Sequence, residues 1–376
     1  MNKILLVTGE VSGDHHAAAL IKELKILKPG LQITGIGGDM LENEGMQLLF
    51  HVKDMAFLGV GEVIKHLPFI RNVHNTLIGW AERERPVCAI LIDYPGFNLK
   101  IAKSLKKLGI PVIYYISPQL WAWGKGRIDK IRKYVDRMVV LFPFEQKFYE
   151  QYKIDAEYVG HPLVDKHFAY IPDEAKKINT DNIVFGLLPG SRKQEVASLL
   201  PKMIETARIL FKNKQIKSAE IIKVKHLPLE MFSDHLAEAD TFIKIVEEPI
   251  EKCLQRFDAV IVASGTATLE TAYYGVPMLI VYHVNPLTYW LGRMLVKIDH
   301  IGLANIVAES PVAIELIQND FTPEKAAEHV MQMLDQDQNS QIRAKLKIVR
   351  EKLGEPGASK RAASVVARFL DNNHVE

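Results

Sequence analysis

The chain has 376 residues, of which 48% are hydrophobic and 24% are charged. At roughly 100–200 residues per domain, this length predicts two or three domains that bury their cores without disulfides or structural metals. The 47 basic and 45 acidic residues leave a net charge of +2, which excludes a disordered acidic tail and a polycation built to bind nucleic acid. The two cysteines, Cys88 and Cys253, are too far apart for a CxxC motif and indicate buried thiols in a reducing compartment.

Neither a signal peptide nor a transmembrane helix is expected. The amino terminus has an apolar run of only four residues before Thr8, which is too short for a signal-peptide core and predicts a first β-strand. The longest segment without Asp, Glu, Lys or Arg, residues 271–292, is long enough for a bilayer, but Gly275, Pro277 and Pro286 interrupt it. We therefore expect a cytoplasmic protein.

Short β-branched runs alternate with longer helical patterns, which predicts parallel sheets covered by helices. In the first half the predicted strands are Ile4–Val7, Gln32–Ile36, Val87–Ile92, Val112–Ile116, Met138–Phe142 and Glu157–Val159. The predicted helices there are Asp14–Leu27, Ile64–Arg83, Leu99–Leu108 and Lys125–Tyr134.

The second half repeats this alternation after a polar segment, residues 169–182, that is typical of a linker. We predict an α/β fold of two doubly wound, Rossmann-like domains that face a cleft, because such sheets bind ligands at the carboxyl ends of their strands. The predicted domains are residues 1–168 and 169–350, and residues 351–376 are predicted to form a helix that packs back on the first domain. The predicted strands of the second half are Ile183–Leu188, Glu220–Val224, Phe242–Val246, Ala259–Ala263 and Met278–Tyr282.

The loop after the first strand suits a ligand. In TGEVSGD, Gly9, Ser12 and Gly13 precede a helix predicted to begin near Asp14, so backbone N–H groups can face an anion or a polar sugar. The loop lacks both a Walker lysine and the G-x-G-x-x-G spacing of a dinucleotide site. The later GIGGD segment, residues 35–39, is interpreted as a tight turn between strand and helix.

A carboxylate stands at the end of a strongly apolar predicted strand. In IDYPGFN, Asp93 closely precedes a Pro-Gly pair that ends the strand, so its side chain is expected at the floor of the cleft. Burial against Tyr94 and Phe97 would raise its proton affinity and suit it to general-base work. The alternative is that Asp93 caps the next helix, although Asn98 is the better-placed cap.

Two tryptophans and a basic cluster follow the next strand. Trp121 and Trp123 are two residues apart and do not share a helical face, so they are either loop anchors or part of a binding site. Residues 100–137 contain ten Lys or Arg and two Asp, a net charge of +8, which leaves −6 for the rest of the chain. This bias favours a phosphate-bearing ligand or an anionic membrane surface over an ordinary solvated helix face.

A strand, a Pro-Gly turn and a helix follow one another in NIVFGLLPGSRKQEV. Ser191 and Gln194 fit the S-x-x-Q capping pattern, which predicts a helix start just after Gly190. Arg192 in the first turn would oppose the helix dipole, but beside a diphosphate the same arginine becomes favourable.

A second turn of this kind occurs in AVIVASGTATLETA. Ser264, Gly265 and Thr266 are predicted to begin a helix, with Glu270 one turn further in. Two anion-accepting helix starts in one domain indicate a bound nucleotide diphosphate, and Glu270 could accept hydrogen bonds from the ribose diol. The alternative is an ordinary helix start capped by Ser264.

The histidines carry little signal. His15 and His16 lack the H-x-x-x-H or metal–carboxylate spacing of a metal site, so no metal is expected. His161, in a Gly-His-Pro sequence, is interpreted as a turn or hinge residue.

With these segments in order, the chain resembles the lipid-A-disaccharide synthases, which are glycosyltransferases of the GT-B architecture. Any one motif is weak, but nine in the same order are highly specific. They are GEVSGD at 9–14, FLGVGEV at 57–63, IDYPGFN at 92–98, ISPQLWAWGKGR at 116–127, FPFEQKFY at 142–149, VGHPLVD at 159–165, LLPGSRKQEV at 187–196, SGTATLE at 264–270 and NIVAE at 305–309.

The resemblance implies transfer of 2,3-diacylglucosamine from UDP to 2,3-diacylglucosamine 1-phosphate (lipid X), with inversion, a β-1,6 linkage, release of UDP and no cofactor or metal. It places the essential carboxylate of the family on Asp93, its arginine on Arg192 and its late asparagine on Asn305. The chain departs from the family at Gly96, where Asp is frequent, and at Ala304, where Pro is frequent. The first departure directs attention to Asp93, or to Glu10, as the general base.

The resemblance also assigns roles to the predicted domains. Residues 1–168 are expected to bind acceptor and lipid, and residues 169–350 the UDP-sugar. The apolar segment 55–80 is either a lipid-facing surface or ordinary core. A monomer or homodimer on the anionic cytoplasmic face of the inner membrane is expected. Substrate contacts are expected from Ser12, Gly13, Asn98, Trp121, Gly190, Ser191, Ser264, Gly265, Thr266, Glu270 and Asn305.

Other functions compete with this interpretation. The nearest is another UDP-sugar enzyme of the same architecture, such as a UDP-GlcNAc 2-epimerase or a GlcNAc transferase. From a different class, a two-domain small-ligand binding protein also has a cleft between parallel sheets. An NAD-dependent dehydrogenase is disfavoured because no strand–GxGxxG–helix unit occurs in the sequence.

Overall fold

The computed structural model describes residues 2–55, 67–118, 125–170, 172, 176–283 and 300–372. The chain forms two units, one made of the residues up to Lys166 together with those from Gly354 on, and the other of His167–Leu353. Each unit contains one parallel β-sheet with helices in the connections between its strands. The predicted α/β class with two Rossmann-like halves is therefore confirmed.

The first unit is built on a seven-stranded parallel sheet. Its strands are β1 (Lys3–Thr8), β2 (Gln32–Gly37), β3 (Gln47–His51), β4 (Cys88–Ile92), β5 (Val112–Tyr115), β6 (Arg137–Val140) and β7 (Ala156–Tyr158). Their order across the sheet is β3-β2-β1-β4-β5-β6-β7. The central strands β1 and β4 are apolar along nearly their whole length, as expected for strands covered on both faces. The helices are α1 (Val11–Leu27), α2 (Asp39–Asn43), α3 (Val52–Met55), α4 (Leu67–Glu84), α5 (Pro95–Lys107), α6 (Ile128–Tyr134), α7 (Pro143–Glu150) and α8 (Pro162–His167), with a 3₁₀ turn at Lys125–Arg127.

The second unit is built on a six-stranded parallel sheet. Its strands are β8 (Val184–Leu188), β9 (Ser218–Ile222), β10 (Ile243–Val246), β11 (Ala259–Ala263), β12 (Met278–Tyr282) and β13 (Ile314–Ile317). Their order is β10-β9-β8-β11-β12-β13. The core of this unit lies between the sheet and the apolar stripes of its helices. These helices are α9 (Lys193–Lys212), α10 (Glu230–Ser233), α11 (Ile250–Arg256), α12 (Thr266–Tyr273), α13 (Leu303–Ala308), α14 (Pro323–Leu334) and α15 (Gln336–Lys352), with a 3₁₀ turn at Gln318–Asp320.

All the predicted strands are present, with ends shifted by at most two residues. The prediction missed β3 and β13, which lie at sheet edges and are only partly buried, so their sequences lack a strong apolar pattern. Two helices begin earlier than predicted. Helix α1 begins at Val11, and α5 begins at Pro95, where the fixed φ of proline suits the first helical position.

The last helix, α16 (Ala358–Asn372), returns to the first unit and packs against α1, as predicted. Asp165 anchors its amino terminus. The two carboxylate oxygens of Asp165 accept hydrogen bonds from the backbone N–H groups of Gly357, Ala358 and Ser359 at 2.6–2.9 Å. The Arg361 side chain adds a hydrogen bond from Nε to the Val159 carbonyl at 2.8 Å. The VGHPLVD motif therefore fixes the end of the chain.

We expect Asp165→Ala to loosen α16, because three helix-terminal N–H groups lose a charged acceptor. The free energy of local opening should fall by about 1–2 kcal/mol, measured as faster hydrogen exchange of the amides in residues 358–372. Asp371→Ala, which removes an exposed ion pair with Lys28 near the other end of α16, is the matched control and should change opening by less than about 0.5 kcal/mol. Unaltered exchange in Asp165→Ala would show that the cap does not hold the helix.

Candidate active site

The carboxyl edge of the first sheet contains an unusual backbone at Asp93. In the pairing of β1 with β4, Thr8 lies opposite Ile92, so the loops that follow both strands leave the sheet side by side. Asp93 and Tyr94 have φ values of 46° and 48°, and Ile116, after the neighbouring β5, has a φ of 64°. Non-glycine residues rarely adopt this left-handed conformation, and such strain gathers at functional sites.

Two buried side chains hold the Asp93 backbone. Asn98 Nδ2 donates to the Asp93 carbonyl oxygen at 2.8 Å and to the Ile92 carbonyl oxygen at 3.1 Å. The Tyr114 hydroxyl donates to the same Asp93 oxygen. Burial raises the pKa of Tyr114 well above its usual value, so the phenol stays a donor. These bonds offset a conformational cost on the order of 1–3 kcal/mol and leave the Asp93 side chain half-buried at the sheet edge.

The expected capping role of Asn98 is wrong. Helix α5 begins at Pro95, and its N-cap is the left-handed Tyr94. Asn98 lies within the first turns of the helix, fully buried, and its amide bonds to the loop behind it. In this structure Asn98 therefore positions Asp93 and presents no surface to a substrate.

Glu10 lies close to the same loop. A Cβ atom on Gly9 would come within 2.2 Å of Tyr94 Cγ, so the Tyr94 ring covers Gly9 and only glycine fits there. Burial raises the pKa of Tyr94 to about 12, with a further contribution from the Glu10 carboxylate. Glu10 is exposed and is the N-cap residue of α1. The two candidate bases, Asp93 and Glu10, thus flank Tyr94.

The rest of the GEVSGD loop divides into exposed and structural residues. Ser12 is exposed in the first turn of α1. Gly13 is buried, and a Cβ there would lie 2.1 Å from Thr8 Oγ1, so glycine permits helix and strand to touch. The buried Asp14 carboxylate accepts N–H groups of Gly38, Met40 and Leu41 at 2.7–3.2 Å and caps α2. Gly13 therefore allows close packing of helix and strand. Of the GIGGD segment, residues 35–37 belong to β2 and Asp39 begins α2, so the predicted tight turn is reduced to Gly38.

His16 and His161 form a second feature of this unit. Their rings meet edge to face with centroids 6.0 Å apart, and Phe142 lies 5.4 Å from His161. Burial lowers the pKa of His16 to about 4 and that of His161 to about 3, so both are neutral at physiological pH. His161 Nδ1 accepts the Leu163 N–H at 3.1 Å, which agrees with its interpretation as a turn residue.

The basic cluster occupies helices α5 and α6. Trp121 and Trp123 lie outside the described residues, as does the FLGVGEV segment. Lys106 and Arg132 are paired with nearby aspartates, and Arg137 is paired with Asp155 and Glu157, so part of the charge is neutralised. The exposed basic residues of this cluster include Lys100, Lys103, Lys107, Lys130 and Lys133.

The described part of the apolar segment 55–80 belongs largely to the core. Val73, Leu77 and Trp80 are buried, whereas Leu67 is 49% exposed. Phe69 packs against the core and meets Phe50 edge to face. In the part of the chain that the structure describes, no helix is both long and apolar enough to cross a bilayer.

In the second unit, the PGSR loop is organised around Glu195. Glu195 Oε2 accepts the backbone N–H groups of Ser191 and Arg192 at 3.2 and 3.3 Å. Gly190 has a φ of 103°, and a Cβ there would lie 2.4 Å from the same carboxylate oxygen. Glycine is therefore required at this turn, because any side chain would collide with the Glu195 carboxylate.

The predicted cap at Ser191 and Gln194 is wrong by one residue. Helix α9 begins at Lys193 with Arg192 as its N-cap, and the reaching-back carboxylate is Glu195. The N–H group of Ser191 already has an acceptor and is not available as an anion donor in this arrangement. The Arg192 side chain is 68% exposed, and its Nη1 lies 3.5 Å from Glu195 Oε1.

His226 and Tyr282 extend this loop cluster. His226 Nε2 lies 2.9 Å from the Ser191 carbonyl oxygen and ties the loop after β9 to the PGSR loop. Burial raises the pKa of Tyr282 at the end of β12. The Glu195 carboxylate raises this pKa further and the Arg192 guanidinium lowers it, so the Tyr282 hydroxyl interacts electrostatically with both residues. Sequence reasoning missed both residues because neither stands in a turn signature.

The start of α12 is more open. Its N-cap is Gly265, with a φ of 157°, and no described atom lies within 4 Å of a Cβ built there. The alternative that Ser264 is an ordinary cap of this helix is wrong: its hydroxyl donates to the Ile301 carbonyl oxygen at 3.1 Å. Thr266 is exposed at the first helical position. Glu270, one turn on, lies with one carboxylate oxygen 3.7 Å from His167 Nε2.

Asn305 is buried in the second unit, and its side chain bonds to neighbouring backbone groups. It is 0% exposed, and its Oδ1 accepts the N–H groups of Val312 and Ala313 at 2.8 Å. Its Nδ2 donates to the Ala313 carbonyl and to Glu315 Oε1. The Asn305 amide thus holds the loop between α13 and β13, and the expected substrate contact stays a prediction.

Among the described residues, no group of three or more His, Cys, Asp or Glu side chains is arranged to hold a metal ion. The chemistry that the described loops offer consists of carboxylates at Asp93 and Glu10, a guanidinium at Arg192, and the open amino terminus of α12. These groups suit proton transfer from a hydroxyl and stabilisation of a phosphate leaving group.

Two Rossmann-like halves, each built on one parallel sheet, together with the likeness to solved structures, place this chain in the GT-B class of folds. MnaA of S. aureus, solved with UDP, has the same fold, with a TM-score of 0.66 over 99% of this chain and 97% of that one, at 11% identity. MurG of Acinetobacter baumannii gives a TM-score of 0.62 over 98% and 99% of the two chains, at 14% identity.

The sequence relationship is closer and more specific than the likeness of fold. The model of the lipid-A-disaccharide synthetase family matches residues 4–369. The lipid-A-disaccharide synthase of Syntrophus aciditrophicus (strain SB) is 43% identical over 373 residues, which cover 98% of this chain and 97% of that protein. The chain belongs to the lipid-A-disaccharide synthase family and is a glycosyltransferase.

We expect Asn98→Ala to lower the turnover number by roughly 10²-fold, because the Asp93 backbone would relax and shift the carboxylate. Tyr114→Phe, which removes one of the two donors to the same carbonyl, should have a smaller effect. Steady-state kinetics measures both. Ser104→Ala, on the same helix, removes a hydroxyl that lies 3.1 Å from His74 Nε2; it is the matched control and should turn over normally. Normal turnover in a folded Asn98→Ala protein would contradict the positioning role.

Proposed function

We propose that this chain transfers 2,3-diacylglucosamine from UDP to the 6-hydroxyl of 2,3-diacylglucosamine 1-phosphate, giving a β-1,6-linked disaccharide 1-phosphate and UDP. The observation that carries the proposal is the family match along residues 4–369, with 43% identity to a relative that bears the name of this activity. Solved structures named as UDP-N-acetylglucosamine 2-epimerases, the rival activity, share the fold at only 11–13% identity.

The proposed reaction is a single in-line displacement. A carboxylate accepts the proton of the acceptor 6-hydroxyl while that oxygen attacks C1 of the donor sugar, and the bond from C1 to the diphosphate oxygen breaks. UDP leaves from the opposite face with the bonding electron pair, so the anomeric centre is inverted. We assign the base to Asp93, because Asn98 and Tyr114 fix its backbone in a strained conformation. Glu10, beside Tyr94, is the alternative.

The donor diphosphate is assigned to the second unit. Arg192 supplies a mobile positive charge from an exposed position, and the amino terminus of α12 supplies oriented N–H groups at Gly265 and Thr266. Because Glu195 accepts the Ser191 and Arg192 N–H groups, we assign the leaving-group charge to the Arg192 side chain and α12. Glu270 is assigned to the ribose diol, one turn into α12.

Removal of the proposed base or of the proposed phosphate contact should abolish most transfer. Asp93→Ala is expected to reduce the rate of UDP release by roughly 10²–10⁴-fold, and Arg192→Ala by roughly 10²–10³-fold, with the fold intact by circular dichroism. The measurement is chromatographic detection of UDP with and without the diacylated acceptor.

Two controls sharpen this experiment. Lys193→Ala removes an equally exposed charge one residue along and should leave the rate unchanged. Glu10→Gln separates the two candidate bases, because a larger loss in this variant than in Asp93→Ala would move the base to Glu10. Wild-type turnover in Asp93→Ala or Arg192→Ala would refute the corresponding assignment.

We further propose that the enzyme works at the anionic cytoplasmic face of the inner membrane. Both proposed substrates carry acyl chains, and the exposed lysines of α5 and α6 provide an attraction on the order of 1 kcal/mol each near an anionic lipid surface. The exposed Leu67 at the start of α4 adds apolar surface beside the segment outside the described residues.

We expect the double variant Lys100→Glu, Lys103→Glu to lose roughly 30-fold or more of its partitioning onto vesicles that contain phosphatidylglycerol. Vesicle flotation measures this, and neutral vesicles should show no difference between the proteins. Lys212→Glu, Lys217→Glu changes two exposed lysines of the second unit by the same charge and is the matched control. An equal loss in both double variants would mean that net charge, and not the α5–α6 surface, governs binding.

A further inference from the structure

His167 is a buried histidine between two polar side chains of the second unit. It is 3% exposed and ends helix α8. Its Nδ1 lies 3.0 Å from the Tyr274 hydroxyl, and its Nε2 lies 3.7 Å from Glu270 Oε1. The His167 ring therefore connects a buried phenol to the carboxylate on α12.

The surroundings decide which ring nitrogen carries the proton. Burial raises the pKa of Tyr274 to about 12, so its hydroxyl keeps its proton and can donate to Nδ1. A neutral imidazole that accepts at Nδ1 carries its hydrogen at Nε2. The opposite tautomer would direct the Nε2 lone pair at the Glu270 carboxylate, which is repulsive. We therefore assign the hydrogen to Nε2, on the side of Glu270.

This Nε2 has no hydrogen-bond partner among the described residues, although it is buried. A buried donor without an acceptor is costly, and a carboxylate is the strongest acceptor that a neutral N–H can find. A shift of about 1 Å in Glu270 would bring its oxygen into hydrogen-bonding distance. Glu270 is itself partly exposed, with 20% of its side chain accessible, so it can bond to His167 and to a ligand at once.

The phenol end of this chain of groups is well anchored. The Tyr170 ring stacks on the Tyr274 ring with centroids 4.3 Å apart and an angle of 26°. The His167 ring meets Tyr274 edge to face at 5.3 Å. Because Tyr274 cannot turn easily, the imidazole plane and the direction of Nε2 are also set.

We propose that His167 is a positioning residue for the nucleotide site: through Nε2–H it orients the Glu270 carboxylate toward the ribose hydroxyls, with Tyr274 fixing its tautomer. The proposal rests on the assignment of Glu270 to the ribose diol. It adds a residue that stands in no loop motif and whose two partners lie more than a hundred positions further along the chain.

The test compares binding of UDP with binding of its 2′,3′-dideoxy analogue by isothermal titration calorimetry. His167→Phe keeps the ring and removes both nitrogens; UDP affinity should fall roughly 5- to 10-fold while affinity for the dideoxy analogue stays at the wild-type value. Tyr274→Phe should produce a smaller loss of the same kind. His167→Gln, whose amide nitrogen can reach the position of Nε2, should restore much of the discrimination.

A double-mutant cycle separates this role from a structural one. In a Glu270→Ala background, His167→Phe should cause no further loss of UDP affinity, because its effect passes through the carboxylate. Phe232→Leu, a buried core change in the same unit outside the site, is the control for lowered stability and should leave the discrimination intact. If His167→Phe does not fold, Tyr274→Phe carries the test because it preserves shape and packing.

The outcomes are distinguishable. Equal losses for UDP and the dideoxy analogue, the same loss in the Glu270→Ala background, or wild-type UDP binding by folded variants would each overturn the role of His167. Wild-type protein that fails to bind UDP would instead overturn the proposed function. Wild-type discrimination between the two nucleotides in Glu270→Ala would remove the carboxylate from the ribose site, and the role of His167 with it.

Discussion

Carboxylates that accept N–H groups at helix amino termini hold the loops at the carboxyl edges of both sheets. In a parallel sheet every strand ends at the same edge, and the helix that follows begins there with unsatisfied N–H groups and a partial positive charge. A carboxylate satisfies both requirements at once. The residues that do so are Asp14 for α2, Glu145 for the turn before α7, Asp165 for α16, Glu195 for α9 and Glu315 for the turn before α13.

Other helices at these edges, among them α1, α5 and α12, begin without a capping side chain. The N-cap residues of α1, α5 and α12 are Glu10, Tyr94 and Gly265, and in the described structure none of their side chains caps its helix. Together with the PGSR loop, which supplies the Arg192 side chain, these are the loops to which we assign substrate. The division has a physical basis: a loop whose amino-terminal N–H groups are bonded to a carboxylate is rigid and electrostatically satisfied, whereas an uncapped start retains donors and positive potential for a ligand.

The family motifs likewise contain both residues that hold loops and residues that we assign to substrate. GEVSGD contains the exposed Glu10 and the buried Asp14, which perform unrelated tasks four residues apart. Asn98 and Asn305 stand in motifs that the resemblance marks as functional, yet both are fully buried and bond to backbone groups of neighbouring loops. Loss of activity on substitution at such positions would reflect a displaced loop and not a lost contact with substrate.

The sequence by itself determined the two-sheet architecture, the central strands and the likeness to a glycosyltransferase family, because apolar runs buried on both faces and turn residues are local signals. The position of Asp93 at the carboxyl edge of the sheet was also predictable from the sequence, because Asp93 directly follows a strongly apolar strand. Only the tertiary structure revealed the edge strands β3 and β13, the early start of α5 at Pro95, and the acceptor role of Glu195. It also showed that the Asn305 amide bonds to the backbone of its own loop and that His167 lies beside Glu270. Both depend on which groups folding brings together, and His167 and Glu270 are about a hundred residues apart in the sequence.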